Sequence, residues 1–296
     1  MRVVARSGRL FFGILFLTSF YGVHCSEKQI VGAWKGGFGN IFLGALHHLA
    51  WCDEQGYVPV VYWDNAFLFY QPGGYNGSRN AWEYYFEPVS SESYVPGDYI
   101  HRRFTPDRYR FGLGSIFNRA DREAGKKIID KYVHIVPSIQ KKIEDFYVAS
   151  MQNKKTIGIH LRGTDKYVEV PALNPALIFK EANKQARLLG VKQFFIATDE
   201  YRLLELAKKE LEGTVIYYDC RRSGDGHTLQ YSGSWPQPKS WVHDASLGEE
   251  FLIEFMLISK CFLFIHTDSN AAMLPFFFNP DLLGVFFNSK GEATYF

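Results

Sequence analysis

Cysteine is scarce: the chain has four in 296 residues, none spaced as CxxC. That excludes a disulfide scaffold. If Cys25 is lost with a leader, Cys52, Cys220 and Cys261 remain, and an odd set forms at most one disulfide. Cys52 falls in a helical pattern and Cys261 opens an apolar strand, so both read as core residues. Net charge is equally sparse. The formal balance is +2, and it falls to −1 without Arg2, Arg6 and Arg9. Bulk electrostatic attraction to nucleic acid is therefore excluded. The sequence holds no HExxH, no DxD and no ligand-spaced His/Cys set, so no metal site is expected. GxSxG and Walker sequences are absent, and Gly36-Gly37-Phe38-Gly39 is not the GxGxxG dinucleotide fingerprint. What is abundant is apolar material. A composition 47% hydrophobic and 17% aromatic excludes intrinsic disorder and is enough for one large core or two smaller ones.

Residues 1–25 read as a signal peptide. Arg2, Arg6 and Arg9 form a positive start, and Leu10 to Val23 is an apolar stretch of about 14 residues, too short to span a bilayer comfortably. Val23-His24-Cys25 offers a small residue and an aliphatic one at −1 and −3 of a cut before Ser26. The alternative is a short uncleaved anchor, the chain's one expected contact with a membrane. Either favours translocation of the chain from Ser26 onward. One glycosylation sequon, Asn76-Gly77-Ser78, stands in a Gly-rich loop.

Beyond the leader, two halves repeat one theme, with a polar junction at 152–155 dividing a domain over 26–153 from one over 154–296. The first half reads as a strand (30–34), the Gly-rich turn Lys35 to Asn40, a helix (41–54) in which Phe42, Leu46 and Leu49 recur at helical spacing, and a strand (58–63). That is a βαβ unit with a candidate ligand loop at the strand-to-helix junction. His47 and His48 are adjacent on the helix, and one is expected to be structural. Residues 65–115 are loop-rich, with Trp82, Tyr84, Tyr85 and Phe86 clustered as core. Residues 119–150 read as helical. The second half alternates strands at 156–161, 193–197, 214–218 and 261–265 with helices that open at Asn174-Pro175 and span 201–211, 246–259 and 270–278. This alternation predicts an α/β protein with a parallel sheet covered on both faces.

Such sheets bind ligands at the carboxyl ends of their strands. Here those ends read His160-Leu161-Arg162-Gly163-Thr164-Asp165-Lys166, Thr198-Asp199-Glu200, Asp219-Cys220-Arg221-Arg222 and His266-Thr267-Asp268-Ser269-Asn270. Arg162 offers a fork for phosphate oxygens, Gly163 lets backbone approach, and Asp165 can orient Arg162 or accept from a sugar hydroxyl. Ser269 or Asp268 would cap a helix whose N-terminus can hold an anion. Four polar strand ends with two arginine sites point to a phosphate-bearing ligand. The long stretch 219–245, with His227, Tyr231, Trp235, Trp241 and His243, reads either as a lid or sugar-stacking surface or as an ordered loop packing its tryptophans.

The string His160 to Lys166 resembles the first motif of the fucosyltransferase superfamily, which spans α-1,6-fucosyltransferases, nodulation-type enzymes and protein O-fucosyltransferases. Phe195 to Glu200 resembles the second motif, residues 249–272 the third, and Gly37-Phe38-Gly39-Asn40 the N-terminal Gly-Asn loop. Order and spacing fit across roughly residues 30–285. The resemblance implies a GT-B-like fold of two Rossmann-like domains with a cleft between them. It implies an inverting glycosyltransferase that moves fucose from GDP-fucose to a glycan or glycoprotein hydroxyl, with no metal or other cofactor. By position, Arg162 would stabilise the departing diphosphate, supported by His160, Lys166 and Asp199. Asp219 would read the guanine edge, Ser269 and Asn270 would donate to the diphosphate, and Gly39 and Asn40 would line the cleft. The expected base is Glu169, one residue off the register of the α-1,6 branch, with Asp165 and Asp53 as alternatives. Gly163 replaces that branch's second Arg, which argues against a strict core-fucosylating enzyme. A donor of this kind places the chain in the Golgi or ER lumen or on an anchor, or on the cytoplasmic side if the source is bacterial. The competing readings are a transferase for another nucleotide sugar and a catalytically silent glycan- or nucleotide-binding protein.

Overall fold

The structure, a computed structural model, describes residues 27–102, 110–164, 173–232 and 240–296. The leader over 1–25, Asp165, Lys166, Glu169 and Trp235 lie outside the described residues. The chain enters on β1 (Lys28–Gly32), turns through glycines into α1 (Phe38–Gln55) and returns on β2 (Val58–Tyr62). β1 and β2 run parallel, with Ile30 opposite Val60, so the expected βαβ unit is present. Ile30, Val31, Val60 and Val61 are buried on both faces, as a covered parallel strand requires. An unexpected short strand, β3 (Ile100–His101), joins β1 on its other side, giving the order β2-β1-β3. α1 ends at Gly56, whose φ of 70° is left-handed and costs glycine nothing. Trp82, Tyr84, Tyr85 and Phe86 are fully buried, in line with the sequence pattern. Burying one Phe side chain contributes roughly 1.5–3 kcal/mol.

The helical stretch 119–150 is two helices, α2 (Arg119–Tyr132) and α3 (Pro137–Ser150). Pro137 is the cause: it lacks an N–H, and Val136 before it is extended at ψ 143°. Asn118 starts α2 by accepting from the Ala120 N–H at 2.9 Å.

The second half gives β4 (Thr156–Leu161), α4 (Pro175–Leu189), β5 (Gln193–Thr198), α5 (Tyr201–Glu210) and β6 (Thr214–Ile216). A small hairpin, β7 (Tyr231–Ser232) and β8 (Ser240–Trp241), interrupts the long polar stretch. Then come α6 (Ala245–Ser259), β9 (Leu263–Thr267), α7 (Asn270–Phe278), β10 (Leu283–Phe287) and β11 (Ala293–Tyr295). The last two strands were not expected from the sequence. The sheet order is β11-β10-β9-β4-β5-β6, parallel except for the edge strand β11. The chain winds outward from β4 through β5 to β6 and then returns to β9 on the other side. β4 and β9 therefore flank the topological switch point, where a crevice opens at the carboxyl ends.

One hydrophobic core joins the two sheets. The Tyr85 hydroxyl donates to the Ala245 carbonyl at 2.9 Å and Tyr75 to Glu249 Oε2 at 2.9 Å. Arg122 Nη1 donates to the carbonyls of Pro280 and Leu282, each at 2.9 Å. α3 packs on the second sheet, with the Phe146 ring edge-on to Phe195 at 5.9 Å and to Tyr218 at 5.6 Å. None of Cys52, Cys220 and Cys261 forms a disulfide, and Cys52 and Cys261 are buried as expected.

Candidate functional site

A pocket occupies the crevice at the switch point. Its walls include His160 and Arg162 from the end of β4, Thr198 and Asp199 from β5, Glu254 and Phe255 from α6, and Ser269 with Ala271 at the start of α7. Phe69 closes it from the first half. Of the residues singled out in the sequence, the structure thus brings Arg162, His160, Asp199, Arg221 and Ser269 to one place.

Each is held for a physical reason. Asp199 Oδ1 accepts from the Gly163 N–H at 2.8 Å, and its Oδ2 accepts from the Thr164 hydroxyl at 2.8 Å. Its carboxylate therefore fixes the backbone that carries Arg162. A Cβ on Gly163 would lie 2.1 Å from Glu200 Oε2 and 2.7 Å from Leu203 Cδ1, so glycine here lets both side chains pack against the loop. His160 is fully buried, with its ring edge-on to Phe255 at 5.1 Å. Burial, then the Arg162 charge, pushes its pKa down to about 3, so it is neutral at pH 7. It can pack against a ligand or bond it, but it adds no positive charge. His266, behind it, is pushed by burial to about 4.

Ser269 precedes α7 with an extended backbone, and its side chain caps none of the first-turn N–H groups. Gly37 likewise starts α1 without a side-chain cap. These two N-termini meet. A Cβ on Gly39 would lie 2.6 Å from the Ala271 Cα, so only glycine lets α1 approach α7 this closely. Two helix N-termini carry partial positive charge toward the same end of the crevice. Gly39 and Asn40 are not on the pocket wall. Gly39 serves the helix contact, and the Asn40 amide lies over Gly36, 3.1 Å from where a Cβ would stand. Asn270 is exposed at the first position of α7.

The second arginine site is spent on carboxylates. Arg221 donates through Nε to Glu250 at 2.9 Å and through Nη1 to Asp244 at 2.6 Å. Arg222 is buried and donates through Nη2 to Glu254 Oε1 at 2.9 Å and to the Tyr218 carbonyl at 3.0 Å. Both tie the strand-end loop to α6. Asp219 is exposed and off the pocket wall, because β6 ends at Ile216 rather than Tyr218 and Cys220 takes the wall position. Asp53 sits near the far end of α1, about 21 Å from Gly39 by helical rise. There it bonds the Tyr132 hydroxyl at 2.9 Å and pairs with Lys131.

Sequence reasoning missed Glu254. It is one acid inside the apolar run Phe251 to Ile258, and that isolation was the available signal. Burial raises its pKa to about 7 against the opposing pull of Arg222. Cys220 donates to the same Oε1 at 3.1 Å, and burial pushes that thiol well up.

Comparison of the sequence with protein-family models and with curated proteins finds no match. Comparison of the structure does. The alpha-1,6-fucosyltransferase NodZ, solved from Bradyrhizobium and with GDP-fucose soaked in, superposes over 91% of this chain and 99% of its own, at TM-score 0.57 and 16% identity. The chain has the fold of the fucosyltransferases. Consistent with that fold, POFUT1 in complex with GDP matches over 88% of this chain and 98% of its own, at TM-score 0.50 and 10% identity. A mutant of Arabidopsis thaliana FUT1 in complex with GDP matches over 88% of this chain and 70% of its own, at TM-score 0.52 and 10% identity. The fucosyltransferase fold thus covers most of the chain.

Proposed function

We propose that the chain is an inverting glycosyltransferase that moves fucose from GDP-fucose to a glycan or protein hydroxyl without a metal. The observation that carries this is the Arg162 loop, clamped by Asp199 at the switch-point pocket where uncapped α7 begins. Two Rossmann-like units, 26–153 and 154–296, would face each other across the donor. The acceptor hydroxyl oxygen attacks the anomeric carbon from the side opposite GDP. The bond from that carbon to the phosphate oxygen breaks, and its electron pair leaves with the diphosphate. Arg162 and the N–H groups at the start of α7 stabilise that charge, the role a divalent ion has elsewhere. The proton passes to a carboxylate. Glu169 remains the proposed base, with Asp165 the alternative. Glu254, not Asp219, stands on the pocket wall and would accept from the adjacent N–H groups of a guanine.

The test is thermal stabilisation of the purified chain by GDP, UDP and ADP, with and without EDTA, followed by transfer assays. Selective stabilisation by GDP that survives EDTA is expected. A nucleotide at 100 times its Kd adds about 2.7 kcal/mol. Arg162→Ala is expected to keep the fold and lower transfer by roughly 10²–10³-fold. A preference for UDP or ADP overturns the donor, and loss of the effect in EDTA overturns the metal-free step. Product NMR reads inversion directly.

A further inference from the structure

A second pocket lies at the opposite end of the first sheet, where β1, β2 and β3 begin. Its volume of about 540 Å³ falls within the roughly 300–1,000 Å³ of small-molecule sites. Its lining differs from the core. Core aromatics such as Trp63 and Trp82 are completely buried. Here Trp51 and Tyr57 are half-buried, with ring centroids 4.9 Å apart, and Tyr99 is 78% exposed, packed edge-on to His101 at 4.8 Å. Polar groups share the lining. Lys28 pairs with Asp98 at 2.7 Å, and Gln29 donates to Glu27 at 3.1 Å.

We propose that this pocket binds a neutral saccharide. A pyranose presents an apolar C–H face, which aromatic rings cover, and a rim of hydroxyls that need both donors and acceptors. Trp51, Tyr57 and Tyr99 supply the first; Glu27, Gln29 and the Lys28–Asp98 pair supply the second. An anionic ligand suits the site poorly. Asp98 already balances Lys28, Glu27 adds negative charge, and Trp51 lies near the carboxyl end of α1, the negative end of the helix dipole. The site is at the amino ends of the strands and Arg162 is beyond the carboxyl end of β4, so this inference does not rest on the proposed transfer reaction.

The experiment is calorimetric titration of the full chain with trisaccharides of glucose, mannose, galactose and N-acetylglucosamine, with GDP present throughout. At least one is expected to bind. Tyr99→Ala and Trp51→Ala are each expected to weaken that binding by about tenfold or more, and both are expected to keep the thermal shift produced by GDP. Tyr99 is exposed, so its loss does not test the core. Binding that is unchanged in both variants overturns the proposal, as does the absence of binding by every trisaccharide. A sulfated trisaccharide that binds more tightly than its neutral parent overturns the assignment of charge.

Discussion

The two sheets follow one plan of strand, loop and helix, yet the loops at their carboxyl ends are built of opposite materials. After β1, the loop runs through Gly36 and Gly37 into Phe38, whose ring is buried against Phe67, Tyr85 and Phe251. After β4 and β9, the loops carry Arg162, Thr164 and Ser269, held by Asp199 and by the helix start. A glycine-rich strand-to-helix turn is therefore not by itself a ligand cradle. In this chain its glycine answers a backbone contact, Gly39 on Ala271, and the polar strand ends that line the crevice lie on the other sheet.

That contrast can be broken most severely by acid. The second sheet hides His160 and His266 beneath its strand ends, with pKa values pushed by burial to about 3 and about 4. In the first half, His47 is pushed to about 3, chiefly by burial, while its Nδ1 accepts the backbone N–H groups of Arg110 and Phe111. In the unfolded chain these groups protonate below 6.5, whereas the folded chain keeps them neutral. Their stabilisation is complete above pH 6.5 and is lost as pH falls toward 4. Glu254 opposes this. Its folded pKa of about 7 lies above the unfolded 4.5, so it takes up a proton first and adds stability as pH falls from 7 to 4.5. Each group changes stability by at most about 1.4 kcal/mol per pH unit. Three histidines against one glutamate leave a net loss in acid, read by urea melts between pH 7 and pH 4.5. A flat profile would show that the histidines are hydrated.

Next in size is the buried pair behind the pocket. Arg222 and Glu254 have side chains 5% and 10% exposed. Arg222→Met is expected to cost roughly 1–3 kcal/mol for each of the Cys220 and Tyr218 carbonyls it leaves without a donor, while Glu254, with its pKa near 7, takes up a proton and stays buried as a neutral acid. The double change with Glu254→Leu is expected to recover little of that loss in chemical denaturation, since both carbonyls stay without a donor. Gly39→Ala ranks third. It drives a Cβ into the α7 backbone and is expected to cost roughly 1–3 kcal/mol and to weaken GDP binding. If it costs nothing, α1 and α7 do not touch as described.

The same contrast explains what was legible in the sequence. Strands ending in Arg-Gly-Thr and Thr-Asp, and Pro after Asn174, are local signals, and they placed β4, β5 and α4 within a residue or two. Both histidines of His47-His48 proved buried where one structural residue was expected. Arg221 and Arg222 counted as a second arginine site because sequence shows charge without partners, and their partners Glu250 and Glu254 lie about 30 residues away on α6. Glu254 gives a linear reading only its isolation in an apolar run, because its meaning comes from facing a crevice that only the sheet order creates. β10 is a short apolar run and β11 only Ala-Thr-Tyr, and their strand character comes from pairing, β10 on β9 and β11 on β10.

Ser269 gives the smallest expected effect on stability and the finest test of the contrast. Asn118, Asn174 and Asp244 each accept an N–H two residues on, at 2.9 to 3.0 Å. Changing any one of these caps to Ala is expected to cost about 1 kcal/mol. Ser269 stands at the same kind of position but makes no such bond, and it lines the pocket instead. Ser269→Ala is therefore expected to shift stability by less than about 0.5 kcal/mol, while removing one donor to a bound phosphate and weakening GDP by about tenfold. Thermal melts of the four alanine variants, each with and without GDP, separate the roles. Three should lose stability with unchanged GDP affinity, and one should do the reverse. If Ser269→Ala behaves like the other three, its hydroxyl serves the helix, and the start of α7 contributes to the ligand only through its backbone.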